Sequence, residues 1–548
     1  MRRGLGVALV LAAPGASAVA QNATRPAPTP GCTSTMTRTV PREAAGAVIR
    51  QVSVKTDAPV ALPILGERLA RFRRTTVTKV VSRQLLFAPG DRADTARMAE
   101  SLRRLRDQRL YADVVMTVDR CVDSDSVDIV VTTRDAWSLH PTARIVPPAT
   151  VSFGAEDRNV LGTGRALSVT NDQTMRGHGG SVIVTDPFLF GSDIFTTFRF
   201  SDVAGNHTVR ASLRHHELSQ FDPWRFETAV SRQTFSDTRV REHPLASFFV
   251  QTHLGHLVGG ATQSITVPYL GPQIDSAEVL AVRRGDADTL AIHRRRFIGL
   301  DLGVLHRAAV FDTVGWFAPG YGFLDLPLNT EGDLLLSPGT ERAQHAAAAK
   351  YDAWLGRVWI PQRGRLLTAD AWTSGYLGHV RANHLDRLLL GAYSEASRGF
   401  WAARAMFEQL LQLDPDLRVS SLANSNNDPT FAAIPLEFRQ ADRALLASVE
   451  RSVHLHAVGR ASVLDGSFFT AGSLRWDAPT MGNDQIGVGV LGARLRLLSA
   501  NGAITSVRAD VAFPVIASGS VVHRPLLTVS FGPLFDVSRE RDGRRRQR

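Results

Sequence analysis

Few residues in this chain carry chemistry at a usable spacing. His215-His216-Glu217 offers three metal-ligating types in a row, but neighbours on an extended chain point to opposite faces and converge poorly. His454 and His456 share a face on a regular strand, yet two ligands without a suitably spaced third make no site. The acidic run "DSDSVD" lacks the glycine and closing glutamate of a calcium loop and reads as a hairpin turn. No Gly-x-Ser-x-Gly, phosphate loop or dinucleotide fingerprint occurs, and "LGTGRA" reads as a turn between strands with no helix behind it. A Ser, a His and an acid could still converge from distant strands, but no spacing singles out a set. The expectation is a protein that is not an enzyme and holds no metal and no cofactor. What remains is Arg398-Gly399-Phe400 in "EASRGFW", and one acid, Asp465, in "SVLDGSFF".

The elements that must position such residues are strands. In "TSVRADVAF", Val507, Ala509, Val511 and Phe513 alternate with Ser506, Arg508, Asp510 and Ala512, a period of two with one apolar and one charged face. "LLTVSFGPLF" does the same with Leu527, Val529, Phe531 and Phe535 against Thr528, Ser530 and Gly532. In "LGARLRLL" the phase slips against Ile486, Val488 and Val490, which predicts a bulge near Gly492. Arginine on the polar face is the informative detail. A soluble sandwich would hold it in solvent, whereas an exported chain with many such strands can hold it in a water-filled lumen. Dividing residues 148–535 among about sixteen strands leaves about 24 residues for each strand with its connection, which suits a transmembrane antiparallel β-barrel.

Export is legible at the start of the 548 residues: Arg2 and Arg3, an apolar run from Leu5 to Ala13, then small-x-small cleavage patterns up to Ala20. That run is too short to span a bilayer, and no later stretch is long and apolar enough for a membrane helix. Residues 1–20 read as a signal peptide and 21–45 as a linker rich in Pro, Thr and Ala. Residues 46–140 change period repeatedly. A strand in "AVIRQVSV" precedes a helical face of Val77, Val80, Val81 and Leu85. A second helix carries the stripe Met98, Leu102 and Leu105, with Asp91 expected to accept from its first amides and Arg103, Arg104 and Arg106 expected to face outward. Strands Tyr111–Val118 and Val127–Thr133 complete a small α+β unit. The fold class is therefore mainly β, a barrel preceded by one α+β domain. The net charge of +11 suggests an anionic partner. It is almost wholly arginine, however, and part of it lies in the basic tail 536–548. No basic stripe interleaved with aromatics marks a nucleic-acid site.

The segment "VDIVVTTRDAWSLHPTARI" followed by "FGAEDRNVLGTGRALSV" resembles the junction between periplasmic POTRA domain and barrel in the BamA and TamA type of outer-membrane assembly factor, also called bacterial surface antigens. Its carriers are Thr133 to Trp137 and Asp157 to Arg165, with "DPFLFGS" as a following turn. The resemblance implies one POTRA-like unit in the periplasm, a barrel in outer-membrane lipid, and unfolded or extended client polypeptides as partners, with periplasmic accessory proteins besides. It implies insertion or translocation of polypeptides by strand addition at a seam between a first strand near Ala149 to Gly154 and a last strand ending in Leu527, Val529, Phe531, Gly532 and Phe535. A passive pore or structural surface barrel that has lost that activity is the alternative.

In that family a loop reaching into the lumen carries Arg-Gly-aromatic, whose arginine meets an acid on the wall. A bidentate pair of this kind fixes the loop's orientation. Arg398, Gly399 and Phe400 are candidates for the lock, with Asp465 as the acid. The family's spacing places the tripeptide just before Pro435, where Ala432 and Ala433 stand instead, so the lock position is altered and Arg439 is a substitute candidate. On that spacing Arg398 reads as a rim or lumen-side arginine at the start of a strand "GFWAARAMFEQLL". Cys32 and Cys121 are the two cysteines, and in an oxidising compartment they are expected to form one bridge.

Overall fold

The computed structural model describes residues 32–39, 41–59, 75–108, 110–121, 125–146, 150–174, 177–203, 205–215, 221, 223–235, 245–261, 264–283, 289–308, 310–314, 324–342, 345–378, 383–411, 442–458, 462–476, 486–499, 506–517 and 526–532. The calls on residues 1–20 and 536–548, and those on Ala432, Ala433, Pro435, Arg439 and Phe535, lie outside them.

The N-terminal unit holds β1 (Cys32–Thr37), β2 (Val48–Asp57), α1 (Thr78–Ser82), α2 (Thr95–Asp107), β3 (Tyr111–Cys121) and β4 (Ser126–Asp135). Its sheet runs β1-β3-β4-β2, antiparallel except where β2 joins β4. β1 lies within the stretch read as linker, and its register sets Cys32 opposite Cys121. Met98, Leu102 and Leu105 of α2 are fully buried against Ile49, Met116 and Ile129. Asp94, rather than Asp91, caps α2: its carboxylate accepts from the Ala96 amide at 2.8 Å, while Asp91 accepts from Ala88 one turn earlier. The arginines of α2 do not face water as expected. Arg103 stacks over the Phe311 ring at 4.7 Å, and Arg106 makes a two-point pair with Asp325 at 2.7 and 3.0 Å.

Those partners belong to the second part of the molecule, which is built around one large antiparallel sheet. It opens with short strands β5 (Leu139–Val146), β6 (Thr150–Asp157), β7 (Ala166–Thr174), β8 (Gly177–Asp186), β9 (Ile194–Val203) and β10 (Asn206–His215). Longer ones follow: β11 (Trp224–Phe235), β12 (Leu245–His256) with its continuation β13 (Gly259–Ala261), β14 (Ser264–Arg283) and β15 (Thr289–Ala308). β16 (Phe311–Val314) and β17 (Leu324–Pro327) form a separate hairpin, the one that meets α2. The sheet resumes with β18 (Glu331–Glu341), β19 (Ala346–Trp359), β20 (Arg365–Leu377), β21 (His384–Ala396), β22 (Gly399–Leu411) and β23 (Arg443–Val458). It ends with β24 (Ser462–Trp476), β25 (Ile486–Ser499), β26 (Ser506–Ala517) and β27 (Leu526–Gly532).

Among the described residues this wall has twenty-one strand segments, twenty strands when β13 is counted with β12, more than the about sixteen expected from a uniform division of the chain. The excess sits in β5 to β10, where short strands and tight connections use far fewer residues than the mean. β5 is the first wall strand, so in the segment expected to open the wall, Ala149 to Gly154, the described residues Thr150 to Gly154 belong to the second. No helix among the described residues is long and apolar enough to cross a membrane.

The wall is inside out by the standard of a soluble sheet. Its inner face buries Asp275, Arg295, Asp301, Asp352, Arg404 and Glu408, while Leu334, Leu355, Leu390, Leu474, Phe468 and Phe513 stand exposed on the outer face. The period of two in the sequence produces this sorting directly. β25 shows no bulge at Gly492: Val488, Val490, Arg494 and Arg496 all face inward, and the inner face simply changes from apolar to charged along one regular strand. Gly492 makes room for a ring, since a Cβ there would lie 2.2 Å from Phe469 Cζ. The irregularity falls between Gly489 and Val490, where β26 carries the extra residue, Val515.

Candidate functional site

Three places bring the singled-out residues together. The first is the junction between the two parts. Asp135, fully buried at the end of β4, accepts from the Thr76 amide. Thr76 Oγ1 accepts from Asn159 Nδ2 at 2.8 Å, and Asn159 Oδ1 accepts from the Gly164 amide at 2.8 Å. The turn after β6 is therefore tied to the segment before α1 by one buried chain of hydrogen bonds, made by the small polar residues Thr76 and Asn159 with Gly164 in the turn. Gly162 has φ +77° and its would-be Cβ lies 2.4 Å from the Thr75 carbonyl oxygen, so no other residue fits. Burial pushes the Asp135 carboxyl up to about 7, against the downward pull of the Thr76 amide.

The second place is the wall around Asp465. The carboxylate is fully buried on the inner face of β24 and accepts from His454 Nδ1 at 2.6 Å. A bulge at Leu455 sets His454 opposite Asp465 and His456 opposite Leu464, so the two histidines do not share a face as expected. Next to this pair lies a charged network that sequence reasoning missed. Arg494 donates to Asp510 at 2.8 Å and to Glu450, while Arg496 pairs with Glu450 and donates to Ser467 Oγ at 2.8 Å. Arg494 also lies over the Phe469 ring at 4.6 Å. Asp510 was legible as a polar-face residue and Arg494 and Arg496 stand in the quoted "LGARLRLL", but only the register of β23 to β26 brings them to Glu450 and Ser467. Removing one partner from such a cluster costs about 3–5 kcal/mol, because a buried charge is left unpaired.

Arg398-Gly399-Phe400 is a hairpin corner. Ser397 and Arg398 form the turn between β21 and β22, Arg398 is exposed at φ +57°, and Phe400 is fully buried on the inner face. The Arg398 carbonyl accepts from the His454 amide at 2.6 Å, so the tripeptide reaches the neighbourhood of Asp465 through backbone, without its guanidinium. Connections alternate between the two ends of an antiparallel wall, and the turn holding Arg398 lies at the end that meets the N-terminal unit. β22 ends and β23 begins at the opposite end; Ala432, Ala433 and Pro435, between them in sequence, lie outside the described residues.

The third place is the meeting of the sheet's two ends. β27 pairs with β26 over seven residues, from Ser506 opposite Gly532 to Ala512 opposite Leu526. With β5 the pairs among the described residues are Val529 opposite Ile145 and Ser530 opposite Arg144. Leu527, Phe531 and Gly532 thus lie on a strand that is firmly held on one edge and thinly held on the other.

No family model matches the chain, and no curated protein matches it. Among solved structures it is similar to CdiB from Escherichia coli, at 10% identity over 91% of this chain and 80% of that one, with a TM-score of 0.41. CdiB from Acinetobacter baumannii gives 11% identity over 91% and 77%, with a TM-score of 0.36. BamA from Haemophilus ducreyi lacking POTRA domains 1-3 gives 11% over 88% and 84%, with 0.34.

Proposed function

We propose that the chain is an outer-membrane β-barrel, with a POTRA-like unit in the periplasm, that inserts or translocates extended polypeptides by strand addition. The thin seam carries this reading: among the described residues two pairs join β27 to β5, where its other edge has seven. Each backbone hydrogen bond contributes about 1 kcal/mol net, so parting this seam costs far less than parting any long hairpin of the wall. An edge that opens offers a row of unpaired amides to an incoming extended segment. The apolar outer face supports placement in lipid, because a soluble protein does not expose so continuous a leucine-rich surface. The junction residues that resemble the family's are the ones that bolt the N-terminal unit to the wall, as a device that delivers clients to the seam requires.

A second reading, a passive or structural barrel, is favoured by the location of Arg398, which leaves Asp465 to a histidine instead of a loop arginine. Reconstitution of the full chain in liposomes separates the two. Accelerated folding of an added unfolded barrel protein is the expected result; ion conductance with no acceleration would favour the second reading.

A further inference from the structure

The outer face of β19 to β23 carries a groove of about 1020 Å³ near the end that meets the N-terminal unit. Its floor is alanine. Ala392 stands beside Ala403 and Ala405 beside Ala447 in two successive outward rows, between walls made by Leu367, Leu390 and Trp359. Elsewhere the outer face is dominated by leucine, valine and phenylalanine, so short side chains here leave a trough.

One register step toward the turns the chemistry changes. Arg365, Ser394, Trp401 and Arg451 are successive cross-strand neighbours, and Arg451 lies over the Trp401 ring at 5.6 Å. Tryptophan and arginine are the residues that settle at a headgroup level. A second hollow of about 560 Å³ opens there, lined by Arg363, Arg365 and Arg398 with a single acid, Glu395. None of the three arginines forms a salt bridge among the described residues. The corner that presents Arg398 is held firmly: its carbonyl accepts from His454, and the Ser397 carbonyl accepts from Arg451 Nη2 at 2.9 Å.

We infer that this is a binding site for an anionic glycerophospholipid, with an acyl chain in the alanine groove and the phosphate against Arg363, Arg365 and Arg398. The inference rests on the membrane reading above. A free phosphate would use the arginines but has no use for the apolar trough beside them. The Arg-Gly-Phe corner then has a task of its own, set by its place on the rim.

The test is native mass spectrometry of the full chain released from phosphatidylcholine nanodiscs with or without phosphatidylglycerol. Wild type is expected to retain phosphatidylglycerol over phosphatidylcholine by about fivefold or more, in line with a few cationic side chains at a lipid surface. The triple variant Arg363→Gln, Arg365→Gln, Arg398→Gln is expected to lose that preference. Ala392→Leu with Ala405→Leu, which fills the groove, is expected to reduce retained lipid of either kind. Equal retention of the two lipids by wild type, an undiminished preference in the triple variant, or full displacement by inorganic phosphate would overturn the assignment. Entry into nanodiscs without preference removes this inference alone. Failure to enter nanodiscs of either composition removes the membrane reading with it.

Discussion

Asp135 is a carboxyl that burial holds near 7, against an ordinary value of 3.8. The folded protein therefore keeps a proton between those values that the unfolded chain has released, so stability falls as pH rises from about 4 to about 7 and is level above. Asp135→Asn keeps an oxygen to accept from Thr76 and removes the titration. Thermal unfolding followed by intrinsic tryptophan fluorescence at pH 5 and pH 8 is expected to show wild type weaker at pH 8 and the variant equal at both; a variant as pH-dependent as wild type would refute the assignment. The same residue shows what sequence can and cannot convey. "TTRDAW" is readable as a junction, but burial of this one acid depends on Thr76, far away along the chain. Asp465 is similar: its isolation among apolar residues marks it, while its partner follows from a bulge at Leu455 that no periodicity reveals.

At the scale of elements, the strand-helix-helix-strand-strand order of the N-terminal unit was legible because period changes from two to 3.6 and back leave a clear trace. The short strand β1 was not, since six residues rich in threonine carry no apolar alternation. Its register with β3 sets Cys32 directly opposite Cys121 on adjacent strands, a backbone placement that fits the expected bridge. Mass spectrometry under alkylating conditions is expected to find no free thiol in protein exported to an oxidising compartment; two alkylated cysteines would dismiss the bridge. The turn after β6 is the other element with a sharp requirement. Gly162→Ala meets the Thr75 carbonyl at 2.4 Å from a left-handed backbone position, and is expected to loosen the junction by about 1–3 kcal/mol. Proteolysis of the full chain between unit and wall should accelerate accordingly; an unchanged cleavage rate would mean that the junction tolerates the shift. The outward face assigned to Arg103 and Arg106 failed for a physical reason: the hairpin β16–β17 that covers them lies more than two hundred residues further on, and pairs Arg106 with Asp325.

For the molecule as a whole, alternation announced a wall with a polar inner and an apolar outer face, and that sorting is what the strands show. The number of strands was not legible, because mean spacing hides the difference between the tight early hairpins and the long later ones. Nor could alternation say how the two ends of the wall meet. That meeting carries the central claim: a seam, two residue pairs wide among the described residues, that parts to admit an extended segment. Cysteines placed at Ile145 and Val529, directly opposite in register, can lock it in a Cys32→Ser, Cys121→Ser background. In liposomes, folding of an added unfolded barrel protein is predicted to be accelerated with the pair reduced, abolished on oxidation and restored by reductant. Acceleration that persists undiminished with the seam crosslinked would contradict the account.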